Sequence, residues 1–290
     1  MPVLAEIDDA EWFELQFDPA RARAKYDIIL PSFPDDATQI SFTGMCGRPN
    51  LQQAFSFYLY VRSVSGIDKL RAPRVMDFGA GWGRIARLFL RELRPKDIVA
   101  SDTMSFAIRC LQETGGIFQI VQNPPAPPIQ GFDQTFNLIY AYSVFSHLSE
   151  SYTRAWLDYL LTLLRPGGYL VFTTRGGRFI SDLQHIKAQS DEDINSYKIA
   201  NVNEYLQKLR RSFPDPKIIK DRFASGEFQF YRVGHGELTE DCTGETLIPR
   251  SYFERHYSRY LATFNDDVPN VDQSVVVLKK PTSWWQRFFL

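Results

Sequence analysis

The sequence predicts a doubly wound α/β fold, and two observations carry that prediction. Between Arg74 and about Thr174, short apolar runs alternate with helical patterns, which is typical of parallel strands whose sheet is covered by helices on both faces. A glycine-rich turn follows the first of these strands. Because crossovers between parallel strands are right-handed, such a sheet binds its ligand beyond the carboxyl ends of the strands.

Each element of this segment has its own sequence signal. Apolar runs bounded by turn residues predict five strands, with the sequences RVMDFG, DIVASD, IFQIVQ, FNLIYAYSVF and GGYLVFTT. Apolar residues spaced by three and four predict the helices between them, in GRIARLFLREL, SFAIRCLQE and residues 152–164. Near the end of the sequence, RYLATFN and QSVVVLKK are expected to add an antiparallel edge to the same sheet.

Segments of different character flank the predicted sheet. Residues 1–70 contain turn-rich stretches and the helical pattern LQQAFSFYLYVRSV, which predicts an amino-terminal helical cap. Residues 71–280 form the main domain, with a polar insertion after the fifth strand, at about 176–257, that contains two helical patterns and a predicted strand in GEFQFYRVG. Residues 281–290, PTSWWQRFFL, form an aromatic tail, which either packs on its own domain or docks on a membrane surface.

Composition excludes several classes of function. The 290 residues include 33 basic and 34 acidic side chains, so the net charge of −1 gives no general attraction for nucleic acid. Cys46, Cys110 and Cys242 are too few and too widely spaced for a disulfide framework or a CxxC site. The acidic amino terminus differs from a signal peptide, and no stretch is long and apolar enough for a membrane span, so we expect a cytoplasmic protein.

Two sets of residues are interpreted as structural. His185, His235 and His256 show no metal-binding spacing, so we expect no metal site. Four arginines line one face of the predicted helix after the first strand and are expected to form a solvated face. These are Arg84, Arg87, Arg91 and Arg94.

The strongest functional signal is the sequence VMDFGAGWGR, residues 75–84. Asp77 lies at the end of the first strand, and Gly79, Gly81 and Gly83 form the turn that follows. Glycine suits a turn where the backbone bends sharply and where a ligand lies against it. The spacing GxGxG differs from the GxGxxG of a dinucleotide site, and the absence of a following lysine excludes a P-loop.

This motif resembles motif I of the class I S-adenosylmethionine-dependent methyltransferases. DIVASDTMS is similar to the second-strand segment of that family, and FNLIYAYSVFSHL and LLRPGGYLVFTT resemble its fourth and fifth strand segments. The resemblance covers about residues 73–174. It implies a Rossmann-like, seven-stranded class I methyltransferase sheet with S-adenosylmethionine as the cofactor.

The resemblance also implies which residues contact the cofactor. Asp77 attracts its ammonium group, and Asp102 accepts hydrogen bonds from both ribose hydroxyls, as an acid does in dinucleotide sites. Gln122 and Asn123 stand at the adenine position, where the family often has an acid. The expected contacts come from Asp77, Gly79, Ala80, Gly81, Trp82, Gly83, Asp102, Thr103, Gln122, Asn123 and Tyr140.

Some of these residues have a structural alternative. Asp102 can instead cap the helix that begins near Met104. The rings of Trp82, Tyr140 and Tyr142 either attract the sulfonium of the cofactor through a cation–π interaction or pack between strand and helix. The sequence leaves these alternatives open.

His147 is the candidate catalytic residue. It follows the fourth strand, at the rim where the acceptor should meet the methyl donor. Methyl transfer depends mainly on positioning, but a hydroxyl nucleophile also needs a proton acceptor, and histidine suits that role near neutral pH. The alternative is a histidine that caps or orients the following helix.

A further similarity concerns the acceptor. ISFTGMCGRPN, and the pairing of GEFQFY with LIPRSYFERHY, resemble segments of bacterial methyltransferases from sugar and polysaccharide pathways. Arg48, Tyr58 and Arg250 are candidates for a polar acceptor pocket, with surface or turn positions as the alternative. We therefore predict O-methylation of a small polar acceptor such as a sugar or glycan. The alternatives are N-methylation of a metabolite and a binding module without turnover, whereas a nicotinamide-dependent oxidoreductase does not fit the glycine spacing.

Overall fold

The computed structural model describes residues 7–195, 200–232 and 241–282. His235 and the aromatic side chains of the tail lie outside these ranges, so the sequence predictions that concern them stay predictions.

Most strands of the described residues belong to one sheet. In chain order they are β1 (Val75–Phe78), β2 (Ile98–Asp102), β3 (Gln119–Gln122), β4 (Phe136–Ala141), β5 (Leu164–Thr174), β6 (Gln229–Tyr231), β7 (Glu245–Leu247), β8 (Leu261–Asn265) and β9 (Ser274–Lys279). The main sheet has seven strands in the order β3-β2-β1-β4-β5-β9-β8, and β6 pairs with β7 separately. Strands β1 to β5 are parallel, and β9 is antiparallel to both of its neighbours. The predicted doubly wound, seven-stranded sheet with an antiparallel edge is confirmed.

The helices cover both faces of this sheet and build the cap and the insertion. In the described residues they are α1 (Asp9–Leu15), α2 (Pro19–Tyr26), α3 (Asp36–Thr43), α4 (Gly47–Ser65), α5 (Ser105–Glu113), α6 (Glu150–Leu163), α7 (Gly177–Ala188), α8 (Asp191–Asn195), α9 (Ala200–Ser212), α10 (Pro216–Ala224) and α11 (Arg250–His256). Because helices lie on both faces, β1, β2 and β9 are buried almost throughout, whereas the edge strand β3 is partly exposed.

The segment after the glycine turn differs from the prediction. GRIARLFLREL is predicted as one helix, but it folds as consecutive turns followed by a 3₁₀ helix at Ala86–Arg91. Gly81 and Gly83 have φ angles of +55° and +83°, outside the right-handed helical region, so a regular helix cannot begin within the loop. The carbonyl of Leu88 accepts a hydrogen bond from the indole of Trp12 at 3.0 Å, which fastens the 3₁₀ helix to the amino-terminal cap.

The prediction of a solvated arginine face is wrong for three of the four residues. Helices α1 and α4 cover that side of the sheet, so the guanidinium groups are buried and bonded to polar groups of the cap. Arg84 donates to the carbonyl and side-chain oxygens of Asn50 at 3.0 and 2.7 Å. Arg87 donates to Gln16 Oε1 at 3.0 Å. The buried members are Arg84, Arg87 and Arg91, whereas Arg94 is exposed and pairs with Asp97.

The insertion after β5 folds back onto the carboxyl ends of the central strands. Isolated β-bridges join Leu148 to Thr243 and Arg175 to Leu247. Leu148 follows β4 and Arg175 follows β5, so both bridges lie at the ligand-binding edge of the sheet. Residues 243–247 therefore lie beside the loop that carries the candidate catalytic histidine.

The described residues contain neither a membrane-spanning helix nor a cluster of metal-binding side chains. None of their helices is long and apolar enough to cross a membrane. Within the same ranges, no group of three or more His, Cys, Asp or Glu side chains is arranged to hold a metal ion. No disulfide joins the three cysteines.

Candidate active site

The glycine loop, residues 79–83, is held against the end of β2 by backbone hydrogen bonds. The N–H groups of Gly79 and Ala80 both donate to the carbonyl of Ser101, at 2.8 and 3.0 Å. All three glycines of the loop have positive φ angles, which other residues rarely adopt. The shape of this turn therefore requires the predicted glycines and brings its backbone to the carboxyl ends of β1 and β2.

The glycine loop also touches the rim loop, which we define as residues 142–149. A Cβ atom on Gly79 would lie 2.2 Å from Cγ2 of Val144, far inside van der Waals contact. Because Val144 precedes His147 by three positions, this close approach places the candidate catalytic segment directly beside the candidate cofactor loop.

Gly79→Ala is expected to destabilise the fold more than its matched control, Gly115→Ala. The φ angles are +79° at Gly79 and +74° at Gly115, so alanine strains the backbone at both positions. A Cβ at Gly115 meets nothing within 4 Å, so only Gly79→Ala also clashes with Val144. We expect a difference of about 1–3 kcal/mol in the free energy of unfolding, measured with urea. Equal destabilisation by the two substitutions would contradict the contact between the loops.

Asp102 lies at the end of β2, and both of its carboxylate oxygens accept backbone hydrogen bonds. Oδ2 accepts from the N–H of Gly81 and Oδ1 from the N–H of Met104, each at 2.9 Å. The bond to Met104 is the predicted capping interaction, since α5 begins at Ser105. Burial raises the pKa of Asp102, and the N–H donors act in the opposite direction. A carboxylate has about four lone-pair positions, more than these backbone donors occupy, so it can still accept from a ribose hydroxyl.

The two residues at the predicted adenine position differ in availability. Asn123 is buried and bonded within the protein: its Oδ1 accepts from Ser101 at 2.7 Å, and its Nδ2 donates to the Pro124 carbonyl at 2.8 Å. Gln122 is exposed, and its amide donates to the carbonyl of Thr103 at 3.3 Å. Of the two amides, that of Gln122 lies where a ligand can reach it.

Asp77 is buried beside Tyr140. The register of β1 and β4 pairs these two residues, and the tyrosine hydroxyl interacts with the carboxyl. Oδ2 of Asp77 makes no hydrogen bond of normal geometry among the described residues. Burial raises the pKa of Asp77 to about 7; the Asp102 carboxylate also raises it, whereas Tyr140 and Arg84 lower it. A buried carboxyl with an unpartnered oxygen suits a positively charged donor such as an ammonium group.

The side chains of Trp82 and Tyr140 are both covered by other residues. Trp82 is 3% exposed, and its ring packs against Phe33 with the centroids 5.6 Å apart. Tyr140 is fully buried, and its ring stacks on Phe89 at 4.9 Å. Because the protein covers both rings, the packing alternative applies to them.

Two aromatic residues that the sequence analysis did not single out lie next to the glycine loop. The rings of Phe42 in α3 and Phe106 in α5 stack with centroids 5.3 Å apart and planes at 9°. A Cβ on Gly81 would lie 3.4 Å from Phe42, and Phe106 remains 38% exposed. The one sequence signal for this pair is an aromatic residue in the first turn of the helix after Asp102.

The ring of His147 is oriented by contacts at both nitrogens. Nδ1 lies 2.9 Å from the carbonyl oxygen of Gly244, and since a carbonyl can only accept, Nδ1 carries a proton. In the neutral ring Nε2 then has a lone pair, and it lies 3.4 Å from Oγ of Ser143. The side chain is 26% exposed. The structure thus fixes the tautomer that a general base requires.

A buried carboxylate lies behind the histidine. Oε1 of Glu245 is 3.5 Å from Nδ1 of His147, and its other oxygen pairs with Arg175. The hydroxyl of Tyr205 donates to Glu245 Oε1 and accepts from Arg175, both at 2.9 Å. A carboxylate at this distance stabilises the protonated form of the imidazole. Glu245 belongs to the insertion, and the sequence analysis did not identify it.

The three polar residues considered for an acceptor pocket do not come together. Each of them is bonded to a carboxylate on its own part of the surface or core. Arg48 pairs with Glu14, Tyr58 donates to Glu92, and Arg250 pairs with Glu254.

Comparison with known families agrees with this arrangement. Residues 76–170, about a third of the chain, match the family model of a methyltransferase domain. This match agrees with the predicted resemblance to methyltransferases over these residues. No curated protein matches the chain. The sugar-pathway subgroup stays a prediction.

Solved structures show the same fold. The SAM-bound amino pentose methyltransferase of calicheamicin biosynthesis from Micromonospora echinaspora is 11% identical, with a TM-score of 0.50, over 86% of this chain and 98% of that one. The N1-methyltransferase of 1,6-didemethyltoxoflavin from Burkholderia thailandensis was solved with S-adenosylhomocysteine and is 13% identical. The two structures align over 94% of this chain and 87% of that one, with a TM-score of 0.46. At this identity the likeness concerns the fold alone.

Proposed function

We propose that this protein transfers a methyl group from S-adenosylmethionine to a hydroxyl of a small polar acceptor, such as a sugar or glycan. The observation that carries the proposal is the state of His147. Its Nδ1–H is fixed on the Gly244 carbonyl, and its Nε2 faces the rim loop, which touches the glycine loop through Val144 and Gly79. A proton acceptor is what a hydroxyl nucleophile requires.

The residues present fit the cofactor. Oδ2 of Asp77, which makes no hydrogen bond of normal geometry, would accept from its ammonium group, and the carboxylate of Asp102 would accept from its ribose. Gln122, at the predicted adenine position, has an exposed amide that would bond the adenine. The cofactor supplies an electrophilic methyl group, so that the acceptor oxygen bonds to the methyl carbon as the carbon–sulfur bond breaks and S-adenosylhomocysteine remains.

The protein's own contribution is to orient the acceptor and take up its proton. As the oxygen–carbon bond forms, the hydroxyl proton passes to Nε2 of His147, and the ring becomes positively charged. Glu245, 3.5 Å from Nδ1, stabilises that charge. Positioning supplies the rest of the rate enhancement, as expected for an in-line displacement.

Calorimetry tests the cofactor assignment directly. We expect S-adenosylmethionine and S-adenosylhomocysteine to bind, and NAD to show no binding, because the loop lacks the GxGxxG spacing. Binding of NAD with neither adenosyl compound would overturn the proposal. Binding of both adenosyl compounds without methyl transfer to any hydroxyl of a sugar panel would favour a binding module instead.

Asp102→Ala is expected to weaken the binding of S-adenosylhomocysteine by about 1.5–3 kcal/mol, the range for hydrogen bonds to a charged group. This is a loss of about 10- to 150-fold in affinity. Asp97→Ala is the matched control, since Asp97 lies just before the opposite end of β2. Thermal unfolding must show that both variants are folded, because Asp102 also bonds the Gly81 and Met104 amides. Unchanged affinity of folded Asp102→Ala would remove the ribose assignment.

A further inference from the structure

A cavity of about 290 Å³ opens at the carboxyl end of β5, on the side of the rim loop away from the glycine loop. Its walls come from the start of α7, from α10 and from the segment between β8 and β9. The lining residues that matter here are Arg178, Phe223, Asp266, Asp267, Asp272 and Gln273. None of them belongs to the candidate cofactor contacts.

Gln273 links this cavity to the candidate base. The residue is 9% exposed, and its Nε2 donates to Oγ of Ser143 at 2.9 Å. That same Oγ lies 3.4 Å from Nε2 of His147. The wall of the cavity is therefore two hydrogen-bonding contacts from the nitrogen that accepts the proton, which places the cavity on the acceptor side.

The side-chain carbonyl oxygen of Gln273 lacks a partner. Its Oε1 has no hydrogen bond among the described residues, although Gln273 lines the cavity. An unsatisfied buried carbonyl oxygen is costly, and a ligand that donates a hydrogen bond removes that cost. A ligand in this cavity is therefore expected to place a hydrogen-bond donor next to Oε1 of Gln273.

Carboxylates are the main polar groups of the cavity besides Gln273. Asp266, Asp267 and Asp272 contribute three of them, and carboxylates only accept. Asp266 already accepts from the Ser274 hydroxyl, and Asp272 accepts from Gln53 and Tyr142 through Oδ1, so the other oxygen of each carboxylate and the whole of Asp267 remain for a ligand. The one cation among the described lining residues, Arg178, donates to the carbonyl of Val271 at 3.2 Å. Acceptors and negative charge thus predominate, which favours a ligand that is rich in donors and positively charged.

We infer that the acceptor bears a protonated amine, which this cavity binds through the three aspartates and Oε1 of Gln273. The inference rests on the proposed function, since it names the class of acceptor for that same site: a small polyol that carries an amine. An ammonium group offers three donors and one charge, and the ring of Phe223 provides a face for it. A protonated amine has no lone pair, so the methylated group is a hydroxyl elsewhere on the molecule, next to His147.

Binding of two matched sugars tests this inference. Glucosamine and glucose are titrated, at about pH 7, into the full chain saturated with S-adenosylhomocysteine, with binding followed by ligand-observed NMR. We expect glucosamine to bind about 10-fold more tightly than glucose, and the preference to weaken as salt is added. Equal binding of the two sugars, or no binding of glucosamine up to about 50 mM, overturns the inference.

Charge variants of Asp267 show whether the preference comes from this cavity. Asp267 is exposed, so its substitution is not expected to disturb folding. We expect Asp267→Asn to weaken glucosamine binding about threefold and Asp267→Lys to abolish the preference over glucose. Glu113→Gln is the matched control for Asp267→Asn, because it removes one negative charge from α5, near the opposite edge of the sheet. It is expected to leave the preference for glucosamine over glucose unchanged. A preference that survives Asp267→Lys overturns the inference.

Binding of S-adenosylhomocysteine is measured separately, so that failure of the proposed function can be told from failure of this inference. Loss of that binding would count against the proposed function, whereas its retention without a preference for the amine counts against this inference alone.

Discussion

Replacing His147 with alanine is expected to lower kcat for a hydroxyl acceptor by about 10²–10⁴-fold, with the affinity for S-adenosylhomocysteine nearly unchanged. The loss follows from removing Nε2 of His147, which lies 3.4 Å from Ser143 Oγ. Nε2 is the basic nitrogen because the proton of the neutral ring is on Nδ1, which donates to the carbonyl of Gly244. The cofactor contacts of Asp77 and Asp102 do not involve the rim-loop histidine, so calorimetry should distinguish a catalytic from a binding defect.

A matched histidine makes this result interpretable. His185 lies exposed on α7, so His185→Ala removes an imidazole from the surface and should retain wild-type turnover. Glu245→Gln adds a test of positioning: with a weaker partner for the imidazolium, the acid limb of the kcat profile should shift to lower pH. Turnover of His147→Ala within a few fold of wild type would show that positioning suffices or that another group takes the proton. An amine acceptor would then be equally compatible with the site.

The candidate site residues whose place in the fold the sequence predicts are those with a local signal. Asp77 and Asp102 end apolar runs that are strands, and the carboxyl ends of parallel strands lie at one edge of the sheet. The glycines predict a turn whose backbone conformation other residues rarely adopt, and the φ angles of all three are positive. For these residues, the neighbours in sequence determine the position in space.

The parts that the sequence does not predict depend on contacts between distant segments. Arg84 and Arg87 have the spacing of a solvated face, and only the packing of the amino-terminal helices reveals that they are buried. Glu245 lies in a polar insertion without a motif, and it reaches His147 because β7 folds back on the rim loop. Gln273 immediately precedes β9, a buried strand whose apolar pattern indicates packing alone. No periodicity marks any of these residues.

Asp77→Asn is expected to stabilise the protein at about pH 8, although it removes the carboxyl proposed to bind the methyl donor. Burial raises the pKa of Asp77 from 3.8 to about 7, so the folded protein holds a proton that the unfolded chain releases. Between these two values the folded state binds more protons, and the wild-type free energy of unfolding therefore falls as pH rises from about 4 to about 7. Above about pH 7 the wild-type free energy of unfolding has fallen by the full amount, about 4 kcal/mol for a shift of about three pKa units.

Urea unfolding of both proteins at several pH values measures this loss. The asparagine side chain has no proton to lose, so Asp77→Asn should lack this part of the pH slope and exceed the wild type by up to about 4 kcal/mol at about pH 8, with the two converging near pH 4. Glu92, whose pKa burial also raises to about 7, contributes the same slope to both proteins and cancels in the difference. Saturating S-adenosylhomocysteine should narrow the gap, because its ammonium group pairs with the ionised Asp77 of the wild type and has no carboxylate to meet in the variant. Parallel pH profiles of the free energy of unfolding, or a variant that is less stable at about pH 8, would contradict this prediction. Either result would show that groups of the protein already stabilise the ionised Asp77 and that no bound cation is needed.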